Sequence, residues 1–229
     1  MKKDVIDKLD IYKLKTSEEL LKYYQNWTDK NKYNKDMVDW NYTAPQETVS
    51  VLSKYALNKN SKILDAGCGT GLVGIELKKY GYSNIEGVDF SQSMLNLIPN
   101  NIYQTVELID LNEPLKYDDN DFGAVICVGT FTYGHVKAHA LDEFIRVTNK
   151  NGYICFTINE GIYTEYKFDK KINELSKKLQ SEGIVVARFL DFDKQTMLKR
   201  YFSIGLFFLR HPLYIFKSLF FLVKILNIK

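Results

Sequence analysis

The chain of 229 residues is long enough for one large domain with a substantial core. Hydrophobic residues make up 45% and charged residues 26%, which excludes a disordered, collagen-like or polytopic membrane protein. The net charge is only +3, but from residue 194 onward the chain carries basic and no acidic side chains. Three cysteines without paired spacing do not suit a disulfide or zinc framework and favour a reduced, cytoplasmic compartment.

The first 58 residues are predicted to form a helical cap. They contain no long apolar run near the start, so no signal peptide is predicted. Ser17 and the two glutamates after it begin an amphipathic segment that includes Tyr24. The polar stretch 27–42 is predicted to be a loop or an irregular helix. Pro45 suits the first turn of a helix that runs to about Leu57.

Residues 59–210 are predicted to form a doubly wound, mostly parallel, Rossmann-like α/β sheet of seven strands. Short apolar runs alternate with helical segments, which is the pattern of successive βαβ units. The predicted strands span residues 62–65, 85–90, 106–109, 122–128, 153–158, 184–192 and 198–209. The predicted helices span residues 72–80, 91–98, 137–147 and 170–179, and Asn151-Gly152 marks the turn before the fifth strand.

A glycine-rich loop between the first strand and its helix is the most informative segment. It reads Asp65-Ala-Gly67-Cys68-Gly69-Thr-Gly71. Glycines let a ligand lie against bare backbone, and the helix that follows offers free N–H groups. Loops of this kind bind nucleotides at the carboxyl edge of a parallel sheet.

Two ligand classes compete for this loop. The spacing Gly69-x-Gly71-x-x-Gly74 fits the dinucleotide fingerprint of a nicotinamide-dependent oxidoreductase, but its first glycine comes too late after the strand. A carboxylate at Asp65 would repel a pyrophosphate, whereas it would attract the sulfonium and ammonium groups of S-adenosylmethionine. The spacing led by Asp65 therefore favours S-adenosylmethionine as the cofactor.

Two further acidic residues follow the next two strands. Asp89 is predicted to bind both ribose hydroxyls of an adenosine ligand; capping of the next helix is the alternative. Asp110 is predicted to accept a hydrogen bond from the adenine amino group; a solvated turn is the alternative. The other residues of the predicted cofactor site are Phe90, Met94, Leu111 and Val128, with Met94 and Leu111 covering the adenine ring.

These motifs together resemble the class I S-adenosylmethionine-dependent methyltransferases over roughly residues 45–160. The resemblance implies transfer of a methyl group from S-adenosylmethionine to a small molecule, which can be apolar or lipid-like. Tyr24-x-x-Trp27, Tyr33 and Tyr42-x-Ala-Pro further resemble the N-terminal segment of the small Williams–Beuren-region methyltransferase-like proteins. That likeness implies a cap folded over the cofactor, with Trp27, Tyr33 or Tyr42 as lid residues; ordinary packing on the sheet is the alternative.

Acceptor chemistry is expected beyond the fourth strand, in residues 128–135. Methyl transfer from a sulfonium mainly requires orientation and exclusion of water, so a base is needed only when the accepting atom holds a proton of high pKa. Tyr133 and His135 are the candidate catalytic residues, and His135 is a candidate general base near neutral pH. A loop or capping role is the alternative for His135. No metal site is predicted.

Residues 211–229 are predicted to form an apolar, basic, amphipathic helix. Lys217 and Lys224 are spaced to share a helical face, and most of the rest is Leu, Ile, Phe and Val. Such a helix suits contact with a membrane surface through residues 212–228. Packing on the domain or in a dimer interface is the alternative. In the first case the cytoplasmic protein would be peripheral on the membrane.

The whole chain is thus predicted to be one methyltransferase domain, as a monomer or a homodimer. Nucleic acid is not an expected partner, because no separate basic binding module is present. Two other functions stay open at this stage. One is a nicotinamide-dependent oxidoreductase, and the other is a catalytically silent S-adenosylmethionine-binding or membrane-scaffold protein.

Overall fold

An open sheet flanked by helices forms the body of the structure, a computed structural model that describes residues 14, 16–54, 58–181 and 218–225. The strands are β1 (Ile63–Ala66), β2 (Ile85–Asp89), β3 (Thr105–Leu108), β4 (Phe122–Phe131), β5 (Thr148–Asn159) and β6 (Ser218–Lys224). The helices are α1 (Ser17–Thr28), α2 (Lys32–Asp39), α3 (Ala44–Lys54), α4 (Leu72–Lys79), α5 (Gln92–Leu95), α6 (Ala140–Val147), α7 (Ile162–Glu165) and α8 (Phe168–Ser181).

The strand order brings the carboxyl ends of β1, β2 and β4 side by side. The strands lie in the order β3-β2-β1-β4-β5-β6, and all neighbours are parallel except the antiparallel pair β5–β6. The chain therefore winds away from β1 in both directions, which confirms the predicted doubly wound, mostly parallel sheet. In such sheets ligands bind at the switch point, outside the carboxyl ends of the strands.

Apolar side chains cover the sheet on both faces. On one face, Leu52 of α3 and Leu77 of α4 are fully buried against the strands. On the other face, Phe144 of α6 and Phe168 of α8 surround Phe131 of β4, with ring centroids 5.9 and 4.9 Å from the Phe131 ring. The central strands are thus buried on both faces, which explains why their sequences are almost continuously apolar.

Five of the predicted strands are present close to their predicted positions. β4 is longer than predicted and ends at Phe131, and β5 begins earlier, at Thr148. The turn predicted at Asn151-Gly152 lies inside β5, where Asn151 has a φ of +66° and the pairing with β4 shifts register. The strands predicted at 184–192 and 198–209 lie outside the described residues, so the predicted number of seven strands stays a prediction. The described residues form a sheet of six strands, of which β6 was not predicted.

The predicted C-terminal helix is wrong over residues 218–224, which form strand β6. The helix prediction rested on the spacing of two lysines, but in the structure successive side chains of this segment lie on opposite faces of the sheet, as in a strand buried on both sides. Phe220 and Leu222 pack into the core on one face of the sheet, and Phe221 and Val223 pack into the core on the other. All four side chains are buried, so this segment does not present an apolar face to a membrane surface.

Of the remainder of 212–228, Ile225 is also buried. Residues 212–217 and 226–228 lie outside the described residues, so membrane contact through them stays a prediction. Among the helices of the described part of the chain, none combines the length and the apolar character needed to cross a bilayer.

The N-terminal helices lie over the carboxyl edge of the sheet. α1 begins with a capping box, in which the Thr16 hydroxyl accepts from the Glu19 N–H at 3.2 Å and the Glu19 carboxylate accepts from the Thr16 N–H at 3.1 Å. The stretch 27–42, predicted to be a loop or an irregular helix, contains a short 3-10 turn and α2. Buried side chains of α1 and α2 pack on Leu72 and Phe90, which follow β1 and β2.

Phe221→Ala tests whether β6 belongs to the core. The Phe221 ring is 1% exposed and stacks on Phe156 of β5 with centroids 4.8 Å apart. We expect the substitution to lower the free energy of unfolding by about 3–5 kcal/mol, because it leaves a cavity between packed rings. Denaturant unfolding measures the change. The control is Val106→Ala on the edge strand β3, where the side chain is 41% exposed; equal losses in both variants would contradict the burial of β6.

Candidate functional site

A large pocket lies between the N-terminal helices and the carboxyl ends of β1, β2 and β4. Its volume is about 1340 Å³, which includes the solvent at its mouth. The sequence-predicted residues that line it are Trp27, Tyr33, Tyr42, Gly67, Cys68, Gly69, Asp89, Phe90, Met94, Asp110, Leu111, Val128 and His135. Three predicted residues, Asp65, Gly71 and Tyr133, are not part of this lining.

The glycine loop after β1 forms the floor of the pocket. The N–H groups of Gly67 and Cys68 both donate to the Val88 carbonyl, at 2.8 and 2.9 Å, and so tie the loop to β2. Gly67 has a φ of +78°, and a Cβ atom there would lie 2.1 Å from the Thr130 hydroxyl oxygen. Only glycine combines this backbone conformation with the close approach of β4. The loop therefore presents bare backbone to a ligand.

Asp89, at the end of β2, fixes the loop from the other side. One carboxylate oxygen accepts from the Gly69 N–H and the other from the Ser91 N–H, both at 2.9 Å. Its side chain is buried, and burial raises the pKa of this carboxyl group above its ordinary value. A carboxylate has about four lone-pair positions, so both oxygens can still accept from ribose hydroxyls. The capping alternative and the ligand-binding role are thus compatible.

Asp110 lies at the pocket wall beyond β3. Its Oδ1 atom accepts from the backbone N–H of Asn112 at 2.9 Å and from the Asn112 side-chain amide at 3.0 Å. These bonds orient the carboxylate beside Met94 and Leu111, which are 3% and 4% exposed. The three side chains and Asn112 line the same pocket, which gives it an apolar slot with a polar rim suited to a purine ring.

Asp65 was expected to face the positive charges of the cofactor, but it lies behind the loop. β1 is covered on both faces, and its register places Asp65 between Gly87 of β2 and Ile126 of β4. The side chain is fully buried, and Tyr103 donates its hydroxyl proton to Oδ2 at 2.6 Å. Burial raises the pKa of Asp65 to about 7, although the hydrogen bond from Tyr103 acts in the opposite direction. Asp65 therefore supports the loop and does not line the ligand pocket.

Gly71 also lies on this rear side of the loop. A Cβ atom there would come within 3.5 Å of the Tyr103 ring. Its φ of +88° lets the chain turn into α4 directly after the ligand-facing part of the loop.

The predicted lid residues all lie in the roof of the pocket. The Trp27 indole N–H donates to the Asp36 carboxylate at 2.7 Å, and the Tyr33 ring packs edge-on against Trp27 at 4.9 Å. Burial, together with the negative charge of Asp89, raises the pKa of Tyr33, so this phenol stays protonated. The Tyr42 hydroxyl lies against Gly129, where a Cβ atom would approach it to 2.6 Å.

A polar contact also joins the roof to the floor. The Thr70 hydroxyl of the glycine loop donates to the Asn34 side-chain oxygen of α2 at 2.6 Å. The N-terminal helices thus contact a side chain of the glycine loop directly, as the lid hypothesis requires.

His135 lines the pocket in a defined tautomer. A carbonyl only accepts, so His135 Nδ1–H donates to the Tyr133 carbonyl, at 2.5 Å. Its Nε2 atom is then unprotonated and accepts from the Tyr24 hydroxyl. Burial lowers the pKa of His135 to about 4, which keeps the ring neutral near pH 7 and makes it a weak base. The structure therefore does not favour His135 as a general base near neutral pH.

The second catalytic candidate, Tyr133, contributes its backbone instead of its side chain. Its ring packs edge-on against Tyr166 at 6.0 Å, and its hydroxyl lies against Gly161. These contacts point the phenol away from the pocket lining, while the Tyr133 carbonyl holds His135.

The sequence reasoning missed several lining residues, of which Tyr24 is the most informative. It appears in the Tyr24-x-x-Trp27 motif, and its helical spacing places it on the same face of α1 as Trp27. Thr132, Asn159 and Ser218 were also missed, and Ser218 belongs to the segment that was predicted to be helical. Thr132 and Asn159 could have been found from their positions at or just after the carboxyl ends of β4 and β5, and Tyr24 from its helical spacing to Trp27. No sequence signal pointed to Ser218, which is the first residue of antiparallel β6.

The charges around the pocket have one sign. Among its described lining residues, Asp89 and Asp110 are acidic, and none is Lys or Arg. A pyrophosphate would find no cationic partner in this lining. Hydroxyl and amino groups could instead donate hydrogen bonds to the two carboxylates, and a sulfonium group would be attracted by their negative charge. Within the part of the chain that the structure describes, no cluster of three His, Cys, Asp or Glu side chains has the geometry of a metal site.

Asp65→Asn tests the burial of the carboxyl group behind the loop. The folded-state pKa of Asp65 is raised to about 7, so below that pH the folded protein holds a proton that the unfolded chain, with a pKa of about 3.9, releases. This contribution to stability is complete at low pH and is lost as the pH rises towards 7. Asparagine keeps an acceptor for Tyr103 and cannot ionise.

We therefore expect Asp65→Asn to become progressively more stable relative to the natural protein between about pH 4 and pH 7. Chemical denaturation at several pH values measures the difference. A difference that does not change with pH would contradict the buried, proton-binding carboxyl group.

Comparison with known proteins gives the same picture. A family model described as a methyltransferase domain matches residues 63–152. The human methyltransferase-like protein 27 is 35% identical over 172 residues, which cover 72% of this chain and 69% of that protein. The putative methyltransferase YqeM of Bacillus subtilis is 25% identical over 52% of this chain and 50% of its own length.

Solved structures share the fold. A putative methyltransferase from Haloferax volcanii, in complex with the Trm112 methyltransferase activator, matches 89% of this chain and 98% of its own with a TM-score of 0.58 at 17% identity. A putative S-adenosylmethionine-dependent methyltransferase from Methanococcus maripaludis matches 91% of this chain and 93% of its own with a TM-score of 0.56 at 13% identity.

Neither the pocket charges nor these relatives support a nicotinamide-dependent oxidoreductase. Strand β1 ends at Ala66, so Gly67 follows it directly. The turn after the strand therefore corresponds to the glycine spacing that begins at Asp65, and the dinucleotide spacing that begins at Gly69 comes too late. The match to the human relative extends over most of this chain and of that protein. Together with the family model and the shared fold, it establishes that the chain belongs to the class I S-adenosylmethionine-dependent methyltransferases.

Proposed function

We propose that this methyltransferase acts on a small-molecule acceptor enclosed beneath its N-terminal helices. The single observation that carries the proposal is the roofed pocket of about 1340 Å³. A roof made from the chain's own helices favours an acceptor small enough to be enclosed.

The pocket residues fit S-adenosylmethionine in one orientation. Asp89 would accept from the ribose hydroxyls, and Asp110 would accept from the adenine amino group between Met94 and Leu111. The bare backbone of the glycine loop and of Gly129 would border the methionine portion. This assignment is supported by the convergence of all these groups on one pocket.

The protein's part in the reaction would be orientation and exclusion of water. When bound, S-adenosylmethionine supplies an activated methyl group on a sulfonium. The aromatic side chains of Trp27, Tyr33 and Tyr42 line the roof of the pocket, where they would limit the access of water. His135 is neutral and already accepts a hydrogen bond, so we propose that it does not remove a proton before transfer. Positioning alone can supply a large part of the rate enhancement.

We also propose that the enzyme acts in the cytoplasm, without nucleic acid as substrate. The three cysteines are free and buried, which suits a reducing compartment. The described pocket lining holds no cation that could bind a phosphate backbone.

Asp89→Asn tests the cofactor assignment. The amide offers one acceptor oxygen where the carboxylate offers two, and it carries no charge. We expect the affinity for S-adenosylhomocysteine to fall at least tenfold, since about 1.4 kcal/mol is lost with one charge-assisted hydrogen bond. Calorimetric titration measures it, and NADH should not bind the natural protein. The control is Asp118→Asn, an exposed acid in the loop before β4, which should leave binding unchanged.

Turnover separates an enzyme from a silent binder. Release of S-adenosylhomocysteine from S-adenosylmethionine should depend on an added small-molecule acceptor and should be lost in Asp89→Asn. If the natural protein bound both nucleosides but released none with any acceptor of a broad panel, the proposal of catalysis would fail.

A further inference from the structure

The carboxyl group of Asp65 is held directly behind the glycine loop, and no role in the proposed cofactor site uses its charge. Asp65 precedes by two residues the part of the loop, 67–69, that lines the pocket. Its Oδ2 atom accepts from the Tyr103 hydroxyl at 2.6 Å, and the Gly74 N–H also favours the charged form. Its Oδ1 atom is buried without a hydrogen-bond partner. A buried carboxylate with so few donors is costly to ionise, so the group binds a proton readily.

The groups that face Asp65 are themselves acids. Asp89 faces it from the end of β2, Cys68 from the loop, Cys127 from β4 and Tyr103 from the segment before β3. Burial raises the pKa of both thiols and of the phenol, and the charge of Asp65 raises these pKa values further, so all three groups stay protonated near pH 7. Burial raises the pKa of Asp65 itself to about 7, and the charge of Asp89 acts in the same direction. Asp65 therefore exchanges its proton near neutral pH.

The charge of Asp65 also reaches the pocket. Cys68 and Asp89 line the pocket, and each interacts electrostatically with the Asp65 carboxylate. Gly67 and Gly69 carry no side chains, so the loop that separates Asp65 from the ligand-facing surface is thin. Charges in a buried site act over longer distances than in water, because solvent screens them less. A charge on a ligand that borders this loop would therefore be felt by Asp65.

We propose that Asp65, positioned by Tyr103, distinguishes the positively charged cofactor from its product, because its carboxyl group releases a proton to solvent when S-adenosylmethionine binds and retains it more fully when S-adenosylhomocysteine binds. This proposal rests on the proposed function, in which the methionine portion borders the glycine loop. The two ligands differ at sulfur, which is a cationic sulfonium in the first and a neutral thioether in the second. A cation in front of the loop stabilises the ionised form of Asp65. Once the methyl group has been transferred, Asp65 regains a proton from solvent and its attraction for the ligand is lost, which favours product release.

The preference for the cofactor over the product should therefore depend on pH. At low pH Asp65 is protonated in both complexes and contributes nothing to the preference, whereas at high pH it is ionised in both and contributes fully. We expect its contribution to rise by about tenfold between about pH 5.5 and pH 8.5, the factor that corresponds to about 1.4 kcal/mol. Opposite charges about 12 Å apart at an effective dielectric constant of about 20 interact with this strength.

Calorimetric titration of both nucleosides across this pH range measures the ratio of their dissociation constants. The amino groups of the ligands and Asp89 titrate in every variant, so the informative quantity is the rise that the natural protein shows and Asp65→Asn lacks. Titrations near pH 7 in two buffers of different ionisation enthalpy count the protons released. The natural protein should release more with S-adenosylmethionine than with S-adenosylhomocysteine, and this measurement needs no variant.

A second variant separates the positioning role of Tyr103 from a structural one. Tyr103→Phe keeps the ring and removes the hydrogen bond that favours the charged form of Asp65, so the rise in preference should move to higher pH. Its matched control is Tyr82→Phe, because Tyr82 belongs to the apolar cluster on which Tyr103 packs and its buried hydroxyl has no hydrogen-bond partner. The control should leave the position of the rise unchanged. A merely structural pair would weaken both nucleosides alike at every pH.

The outcomes are distinct from those of the proposed function. Failure of both nucleosides to bind the natural protein would overturn the cofactor site and this proposal with it. If both bind but the ratio of their dissociation constants follows the same pH-dependence in Asp65→Asn, or if both release equal numbers of protons, the proposal is overturned and the proposed function stands. A rise that stays in place in Tyr103→Phe would overturn the positioning role of Tyr103.

Discussion

The parallel pairing of β1 between β2 and β4 is the constraint on which the rest of the structure depends. It brings the carboxyl end of β2, with Asp89, to one side of the glycine loop and the carboxyl end of β4, with Thr130, to the other. The loop is held by the Val88 carbonyl and the Asp89 carboxylate, so its shape is set by strand register. A shift of strand register by one residue would turn these groups to the opposite face of the sheet, and the pocket would no longer form.

The sequence predicted those parts of the fold and site that local patterns determine. The glycine loop, the acids at the ends of β2 and β3 and the alternation of strands and helices are local, and all appear where expected. The C-terminal helix failed because the spacing of two lysines suggested a helical face, whereas the burial of Phe220 to Val223 on both faces of the sheet depends on pairing with β5. Asp65 failed for a related reason, since only the register of three strands shows that it lies behind the loop.

The site also shows where side-chain identity misleads. His135 is the residue type most often used as a base near neutral pH. Its partners could not be read from the sequence: the Tyr133 carbonyl is two residues away, and Tyr24 is 111 residues away in the chain. Burial and these two bonds turn it from a proton acceptor into a support for another side chain. Conversely, Tyr133 contributes a backbone atom that any residue at that position would carry.

The roof of the pocket is tied to its floor by polar contacts between the N-terminal helices and the sheet. The Tyr24 hydroxyl donates to His135 only while α1 lies against the segment after β4, and Asn34 contacts Thr70 only while α2 lies against the glycine loop. A movement of these helices away from the sheet would therefore break both contacts. Under the proposed function, an acceptor too large to be enclosed would hold the helices away from the glycine loop at the cost of these contacts. The proposed selection of a small acceptor thus follows from the same contacts that position the roof.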